Sequence, residues 1–424
     1  MILKFVHGVL RNQRPSEICC RQSQGTQHLF FGRASQLRPR QSKNKRIERY
    51  KCSASLKTGM VGLPNVGKST LFNALVANKR AEAANFPFCT IEPNFGTVPV
   101  FDERLNQLST ISGSKEIIPT SVEIVDIAGL VEGASEGQGL GNKFLANIRE
   151  CDAIVHVVRC FVNDNIVHVN GSIDPTRDAG IINSELALSD MGQIQKRIEK
   201  VCKSKGKVSV EGHTMESEIE TLTRVLSWLE DGKQVRQMEM SVDDWIVIKE
   251  LNLLTAKPCI YAANLSEEDL LTNGIGNVHF EALSKFAANT GAGVCPVSAQ
   301  VAAELRDLTE DERNEFLSCI GVKSDGTTEL INTAYRQLDL LTYFTTGEKE
   351  TRAWTVKHGS TAPQAAGVIH TDFEKGFIKA ETVHYEDFVS CGGFSGAKEK
   401  GLWQLEGKDY VVQEGDIMVF KFNV

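Results

Sequence analysis

The sequence has few prolines and aromatic residues, and no apolar run long enough to cross a membrane. Proline accounts for 11 of the 424 residues and aromatic residues for 7%, while 41% of the residues are hydrophobic. Because a membrane-spanning helix needs about 20 consecutive apolar residues, we expect no membrane partner. The hydrophobic content is typical of a globular protein, and the length predicts two or three domains.

Cysteine pairs with the spacing of metal ligands are also absent. Eleven cysteines are scattered along the chain, and none of them forms a C-x-x-C pair. This pattern argues against a structural zinc site or a disulfide framework, and it is typical of a reducing compartment. Cys160, Cys259 and Cys295 lie in apolar, strand-like runs, where a free cysteine usually packs as a small hydrophobic residue.

Acidic residues are nearly missing from residues 1–55, which contain twelve basic residues but only Glu17 and Glu48 as acids. An Arg- and Ser-rich, acid-poor leader is typical of an organelle transit peptide. The residues Tyr50 to Ser55 favour the chloroplast, with the mitochondrion as the alternative, and a disordered basic arm that binds nucleic acid is the other interpretation. Without this segment, 35 basic and 52 acidic residues remain, a net charge of −17. Any RNA contact must therefore use a local basic patch.

The stretch Gly62 to Ser69, G-L-P-N-V-G-K-S, fits the phosphate-binding pattern G-x-x-x-x-G-K-[ST]. It follows the short apolar run Gly59 to Val61 and precedes apolar residues at helical spacing. The glycines let backbone N–H groups turn towards phosphates. Lys68 supplies a positive charge to the β- and γ-phosphates, and the Ser69 hydroxyl is a Mg²⁺ ligand.

Two further segments are expected to complete this phosphate site. The strand-like run Ser121 to Val125 delivers Asp126 to the edge where Mg²⁺ sits, and Gly129 offers an N–H to the γ-phosphate. Thr90 lies in an aperiodic segment between the two motifs, where a nucleotide-dependent switch is expected. Its hydroxyl is a candidate Mg²⁺ contact, and a surface threonine is the equally weighted alternative.

Leu130 occupies the position at which Ras-like GTPases carry the glutamine that orients the attacking water. Since leucine cannot hydrogen-bond to water, that role is absent or lies elsewhere. His156, in the apolar run Ala153 to Val158, is one candidate catalytic residue, with a buried strand histidine as the alternative. A K⁺ ion held partly by Asn65 is a second candidate for the catalytic role that this glutamine has in Ras-like GTPases.

Residues 169–254 interrupt the alternation of strands and helices. Apolar residues recur at helical spacing on both sides of a Lys/Gly/Ser-rich break, from Met191 to Val201 and from Ile219 to Leu229. The pattern predicts an antiparallel helical hairpin resembling a short coiled coil. It either packs only on its own domain or forms an arm for a large partner.

The segment Asn264-Leu265-Ser266-Glu267 follows a buried strand where guanine-binding proteins carry N-K-x-D. An aspartate there accepts the N1–H and N2–H of guanine. Glu267 replaces this aspartate and Leu265 replaces the lysine, while Asn264 can still contact the N7 or the amino group of adenine. Because adenine presents an acceptor at N1 and has no N2 amino group, we expect ATP to be preferred over GTP. Ser298 and Ala299, after the next strand, are expected to line the base.

These motifs together resemble the Obg-like ATPase (YchF) family, within the TRAFAC class of P-loop GTPases. The resemblance rests on N-V-G-K-S-T at 65–70, F-P-F-C-T-I-E-P-N at 86–94, D-I-A-G-L at 126–130 and N-L-S-E at 264–267. It implies Mg²⁺-dependent ATP hydrolysis, weaker use of GTP and association with ribosomes. It also implies that Asn65, Val66, Gly67, Lys68, Ser69 and Thr70 bind phosphate, that Ser69 and Thr90 contact Mg²⁺, and that Leu265 lies against the base. Glu132 and Glu136 stand where the family usually has lysine. The second switch loop is therefore more acidic here, which disfavours RNA docking through this loop but does not affect nucleotide binding.

The resemblance also implies an α/β fold: a P-loop NTPase G domain with a mainly parallel sheet, a coiled-coil-like helical insertion and a C-terminal TGS domain of β-grasp, ubiquitin-like shape. The expected boundaries are a leader over 1–55, the G domain over 56–168 and 255–338, the insertion over 169–254 and the TGS domain over 339–424. Physically, residues 352–356 alternate as a strand, and Thr361 precedes a helix that tolerates Pro363 in its first turn. Five lysines form a candidate rRNA patch, with a solvated surface as the alternative: Lys375, Lys379, Lys398, Lys400 and Lys408.

The sequence therefore predicts a monomeric, slow ATPase that acts as a conformational switch near the organellar ribosome. Catalysis would consist of positioning and charge neutralisation by Lys68, Mg²⁺ and backbone donors. Two rival functions remain: a GTP-specific GTPase of ribosome assembly, and a nucleotide-gated binding scaffold whose hydrolysis is incidental.

Overall fold

The structure is a computed structural model, and it describes residues 57–78, 95–127, 140–204, 210 and 212–423. Within these ranges the chain forms two six-stranded sheets, each with helices packed on it. Every helix in the described part of the chain is too short or too polar to cross a membrane.

Six of the first seven strands of the chain form the first sheet. The seven strands are β1 (Lys57–Val61), β2 (Phe95–Pro99), β3 (Glu116–Ile118), β4 (Ser121–Asp126), β5 (Ala153–Arg159), β6 (Cys259–Asn264) and β7 (Gly293–Val297). The first sheet has the strand order β2-β4-β1-β5-β6-β7. Its pairs are parallel except for the edge strand β2, which runs antiparallel to β4. The central strands β5 and β6 are buried along their whole length, which explains their continuous apolar sequence.

Helices cover this sheet and supply the other half of its core. The buried cluster joins strand residues such as Met60 and Ile260 to helix residues such as Leu71, Ile148 and Leu283. The eleven α-helices described in this part of the chain are α1 (Lys68–Asn78), α2 (Arg104–Ser112), α3 (Leu140–Glu150), α4 (Pro175–Lys203), α5 (Met215–Glu230), α6 (Val242–Leu251), α7 (Glu267–Leu271), α8 (Val278–Asn289), α9 (Ala299–Glu304), α10 (Glu310–Ile320) and α11 (Thr327–Gln337).

Helices α4, α5 and α6 form a second apolar cluster that includes Ile194, Leu222, Val225 and Val247. Side-chain caps begin all three helices: Asp174, Thr214 and Ser241 each accept a hydrogen bond from a backbone N–H of the first turn. The sequence predicts two helices here, and α6 is a third that packs on α5.

The first part of α4 belongs to the core of the first sheet, because Ile182 and Leu186 pack there. The separate core of the insertion therefore begins near Ala187, well after the expected boundary at residue 169.

The second sheet joins β3 to the strands of the C-terminal part of the chain. The remaining elements are β8 (Leu340–Thr346), β9 (Glu350–Lys357), α12 (Ala362–Ile369), α13 (Thr371–Lys375), β10 (Phe377–His384), α14 (Tyr385–Cys391), α15 (Phe394–Glu399), β11 (Gln404–Glu406) and β12 (Asp416–Phe422). The second sheet has the strand order β11-β10-β12-β8-β9-β3. Strand β9 covers the run that alternates in the sequence, and Thr361 forms a capping box with Gln364 at the start of α12.

Strand β3 crosses the expected domain boundary. It lies between the first-sheet strands β2 and β4 in the sequence, yet it pairs in parallel with β9, with Glu116 opposite Glu350. The Arg104 side chain extends the same contact, donating to Glu414 at 2.6 Å. The segment that leads into β4, and so to Asp126, is therefore part of the C-terminal sheet.

Candidate nucleotide-binding site

The phosphate loop joins the end of β1 to the start of α1, as the sequence predicts. Gly67 has a left-handed φ of 93°, and a Cβ there would overlap the Asn264 amide. A Cβ on Gly62 would lie 2.7 Å from the carbonyl oxygen of Val157. Gly67 is therefore required both for its backbone conformation and for its lack of a side chain, and Gly62 for its lack of a side chain alone.

Lys68, Ser69 and Asp126 converge at the carboxyl edge of the sheet. Strand β4 lies beside β1, which brings Asp126 opposite Met60. The Lys68 ammonium donates to Asp126 Oδ1, and Ser69 Oγ lies 3.0 Å from Asp126 Oδ2. Lys68 is only 7% exposed, so its charge sits in a partly desolvated site, where it attracts phosphate more strongly than in water.

This donor set fits Mg²⁺, a hard cation that binds one or two protein oxygens together with phosphate oxygens and water. The Ser69 hydroxyl and the Asp126 carboxylate are the protein oxygens that would hold the ion. Among the described residues, no group of three or more His, Cys, Asp or Glu side chains forms a metal cage.

Asn264 has a bracing role in this structure, which the sequence analysis missed. Its Nδ2 donates to the carbonyl oxygen of Val66 at 2.9 Å, and its Oδ1 accepts from the Ala299 N–H at 2.9 Å. The side chain is 3% exposed, so it holds the phosphate loop against the start of α9. The contact of Asn264 with the N7 or the amino group of adenine stays a prediction.

The residues that the sequence predicts to line the base lie near Asn264. Leu265 is buried, and its N–H donates to Val297 O at 2.8 Å. Glu267 is the half-buried first residue of α7. Ser298 is buried as the N-cap of α9, and Ala299 follows it against Asn264.

The remaining loop residues differ in exposure. Val66 is buried, whereas Asn65 and Thr70 are exposed. Asn65 adopts a left-handed φ of 62°, and its Nδ2 donates to Val167 O at 3.3 Å. Thr90 and Gly129 lie outside the described residues, as do Leu130, Glu132 and Glu136.

The catalytic role suggested for His156 is wrong in this structure. The imidazole is 2% exposed, lies in the middle of β5 and packs against the Tyr261 ring, with ring centroids 5.2 Å apart. Burial, together with the nearby charge of Arg236, lowers the pKa of His156 to about 3. A side chain enclosed in the core in this way does not orient water at the edge of the sheet.

We expect the buried His156 to make the fold sensitive to acid. Its pKa is about 3 in the folded chain and about 6.5 when unfolded, so between these values only the unfolded chain binds the proton. The free energy of unfolding therefore falls as the pH drops below 6.5. Between pH 7 and pH 5, the free energy of unfolding of the wild type, measured by urea denaturation, should fall by about 2 kcal/mol more than that of His156→Gln.

The control for this prediction is the same substitution at the exposed His358. His358→Gln should keep the wild-type pH dependence. Equal acid sensitivity of wild type and His156→Gln would contradict the prediction, whatever the cost of the substitution at pH 7.

Arg159, at the end of β5, was missed by the sequence analysis. The side chain is 1% exposed, and it donates to the carbonyl oxygens of Phe161, Asn163 and Ile166 at 3.0–3.2 Å. An arginine that directly follows the apolar run Ile154 to Val158 is the signal that could have revealed it, because such a side chain at a buried strand end needs several acceptors.

The fold and this site define a P-loop nucleoside triphosphatase of the G-domain type. A family model described as "50S ribosome-binding GTPase" matches residues 57–203. The YchF-GTPase C-terminal model, described as "Protein of unknown function (DUF933)", matches residues 340–423.

The chain is 51% identical over 370 residues to "Ribosome-binding ATPase YchF" of Haemophilus influenzae, a match that covers 87% of this chain and 99% of that protein. It is 48% identical to the Bacillus subtilis protein of the same name, over 87% of this chain and all of that protein. The solved "Structure of the Schizosaccharomyces pombe YchF GTPase" is 38% identical, with a TM-score of 0.79 over 89% of this chain and 100% of that one. The chain belongs to the YchF family, and the predicted family and fold class are confirmed.

Proposed function

We propose that the chain is a Mg²⁺-dependent ATPase with weaker GTPase activity that acts as a nucleotide switch on the ribosome, in translation or in stress regulation. This proposal rests on the contacts that Lys68 and Ser69 make with Asp126 beside the phosphate loop. The name "Ribosome-binding ATPase" of the Haemophilus and Bacillus relatives supports both the reaction and the partner. Glu267, in place of the guanine-reading aspartate, supports ATP as the preferred nucleotide.

The chemistry follows from charge placement and needs no covalent intermediate. Lys68 exchanges Asp126 for the β- and γ-phosphate oxygens when the nucleotide binds, while the N–H groups of the phosphate loop and the start of α1 point at the same oxygens. Mg²⁺, when bound, neutralises charge that develops on the phosphates. Because the donors are fixed before the reaction, little reorganisation is needed in the transition state.

Hydrolysis of ATP and GTP by the full chain, with and without ribosomes, tests this function. We expect a higher kcat/KM for ATP than for GTP, and no turnover when Mg²⁺ is removed. A K⁺ ion near Asn65 is part of the proposal, so replacing K⁺ by Na⁺ should slow hydrolysis. Tenfold tighter binding of GTP would favour the assembly-GTPase alternative, and equal rates in K⁺ and Na⁺ would remove the cation.

We also propose that the C-terminal domain is of the TGS type and contacts rRNA through exposed lysines. Lys375, Lys379, Lys398, Lys400 and Lys408 are all exposed. Lys379 stands directly opposite Lys421 on β12, so two positive charges share one face of the sheet. Like charges side by side weaken a sheet unless a counter-charge compensates them, and an RNA phosphate would serve as one in addition to Glu381, 3.5 Å from Lys421.

The lysine pair predicts a charge-dependent ribosome contact. Lys379→Glu combined with Lys421→Glu should reduce co-sedimentation with bacterial-type ribosomes about tenfold at low salt, because two phosphate contacts become repulsive. Lys349→Glu, the same charge reversal at an exposed position before β9, is the control and should bind as wild type. Equal binding of all three proteins would contradict the proposed patch.

The location and assembly state are proposals of the same kind. We propose a chloroplast protein, with the mitochondrion as the alternative, on the basis of the acid-poor leader. A fluorescent fusion of residues 1–60 should enter chloroplasts, and diffuse cytosolic signal would contradict the proposal. We propose a monomer, to be tested by light scattering of the purified chain.

A further inference from the structure

The loop that follows β5, residues 160–167, is shaped by a single buried guanidinium. Arg159 Nε donates to Phe161 O at 3.2 Å, Nη2 to Asn163 O at 3.0 Å and Nη1 to Ile166 O at 3.0 Å. The guanidinium also stacks on the Phe161 ring, 4.6 Å from its centroid. Among the described residues the guanidinium forms no ion pair, and its three hydrogen bonds all go to this loop.

Such a set of bonds is specific to arginine. The planar guanidinium has five donors in a fixed fork, whereas lysine has one compact ammonium on a flexible stem. Lysine at this position would keep the charge, but its single nitrogen could not take the places of the three separate guanidinium nitrogens that bond the three carbonyl groups. The geometry of residues 160–167 therefore depends on the shape of the side chain as well as on its charge.

The same loop touches both halves of the nucleotide site. At its start, the Cys160 N–H donates to Asn264 O at 2.9 Å, and Cys160 O accepts from Asn277 Nδ2 at 3.1 Å. At its end, Val167 O accepts from Asn65 Nδ2 in the phosphate loop at 3.3 Å. Residues 160–167 thus connect the base side, through Asn264, to the phosphate side, through Asn65.

We propose that Arg159 is a positioning residue for nucleotide binding: it holds residues 160–167 in the shape that sets Asn65 and the base-side edge in place. The inference rests on the proposed ATPase function. A loop that is already fixed loses less conformational entropy when the nucleotide binds. This contribution is the same in the ground state and in the transition state, so its loss raises KM and leaves kcat unchanged.

Steady-state ATP hydrolysis by Arg159→Lys tests the inference, with wild type and variant both measured in Na⁺ so that the K⁺ ion proposed near Asn65 does not contribute to either rate. We expect the KM for ATP to rise about tenfold, with kcat within about twofold of wild type. Arg236→Lys is the matched control, because Arg236 donates to one backbone carbonyl, Thr290 O, away from the phosphate loop. Its KM should stay within about twofold of wild type. A folded Arg159→Lys with wild-type KM would overturn the inference, as would a fall in kcat at constant KM.

The route through Asn65 has its own test. If Arg159 acts on the phosphate loop through Asn65, Arg159→Lys combined with Asn65→Ala should raise KM no more than the larger of the two single effects. A KM equal to the product of the single effects would overturn this route. The absence of ATP hydrolysis by the wild type would instead count against the proposed function, so the two failures are distinguishable.

A variant outside the loop keeps the inference testable if Arg159→Lys does not fold. Asn277 caps α8 and donates to Cys160 O. Asn277→Ser keeps a good helix cap but is too short to reach the loop. We expect it to raise KM about threefold at constant kcat, and an unchanged KM would overturn the inference.

Discussion

Lys68→Met is expected to lower the kcat for ATP by at least about 10³-fold, the largest effect that we predict. The ammonium is the only phosphate-facing side-chain cation that the described residues place at the start of α1, and it is already desolvated against Asp126. Methionine keeps the unbranched shape of the stem but removes the charge. Malachite-green detection of released phosphate measures the loss.

Asp126→Asn is the informative companion to that variant. It removes the carboxylate that competes with phosphate for Lys68, so ATP binding should not weaken, while turnover should fall because the carboxylate next to Ser69 is lost. Wild-type turnover by Lys68→Met would contradict the assigned role of Lys68. Loss of turnover with ribosome binding and complementation intact would favour the scaffold alternative.

The parts of the site that the sequence predicted are those with local signals. The phosphate loop is a contiguous motif whose glycines are required by close contacts that the structure shows at Gly62 and Gly67. The buried strands β5 and β6 are continuous apolar runs, and Thr361 carries its own capping signal. In each case the residues that determine the structure lie within a few positions of one another.

The parts that the sequence did not predict depend on residues far apart in the chain. Strand β3 pairs with a strand more than 200 residues away, and Asn264 braces a loop 198 residues before it. The catalytic role suggested for His156 fails because its enclosure in the middle of β5, a strand buried along its whole length, becomes clear only from the assembled sheet. Arg159 was missed because its acceptors are backbone carbonyls, which leave no mark in the sequence.

These long-range contacts share one consequence for function. Asp126, Arg159 and Asn264 are the last residues of β4, β5 and β6 in the first sheet, and each one holds a different part of the phosphate loop or of its surroundings. The loop is therefore positioned by the sheet edge as a whole. The C-terminal domain is connected to this edge through β3, the strand that precedes β4 and Asp126, which gives a physical route between that domain and the nucleotide site.

Glu267→Asp combined with Leu265→Lys should change the nucleotide preference from ATP to GTP, the second-largest effect that we predict. Glu267 is the first residue of α7, and Ser266 caps this helix through the Asp269 N–H at 3.2 Å, so the position of residue 267 is fixed by the cap. Shortening the side chain by one methylene restores the carboxylate that accepts both N–H groups of guanine. Adenine leaves such a carboxylate unpaired, and an unpaired buried polar group costs about 1–3 kcal/mol.

The two substitutions are expected to act unequally. Leu265 is buried, so a lysine there must extend its stem along apolar surface and bring its ammonium out at the edge of the site. Glu267→Asp alone should therefore shift the ratio of kcat/KM for GTP over ATP by about tenfold, and the double variant by about 100-fold. Glu268→Asp, the same change at the exposed neighbour, should leave the ratio as in wild type. A folded double variant that still prefers ATP would show that Glu267 and Leu265 do not select the base.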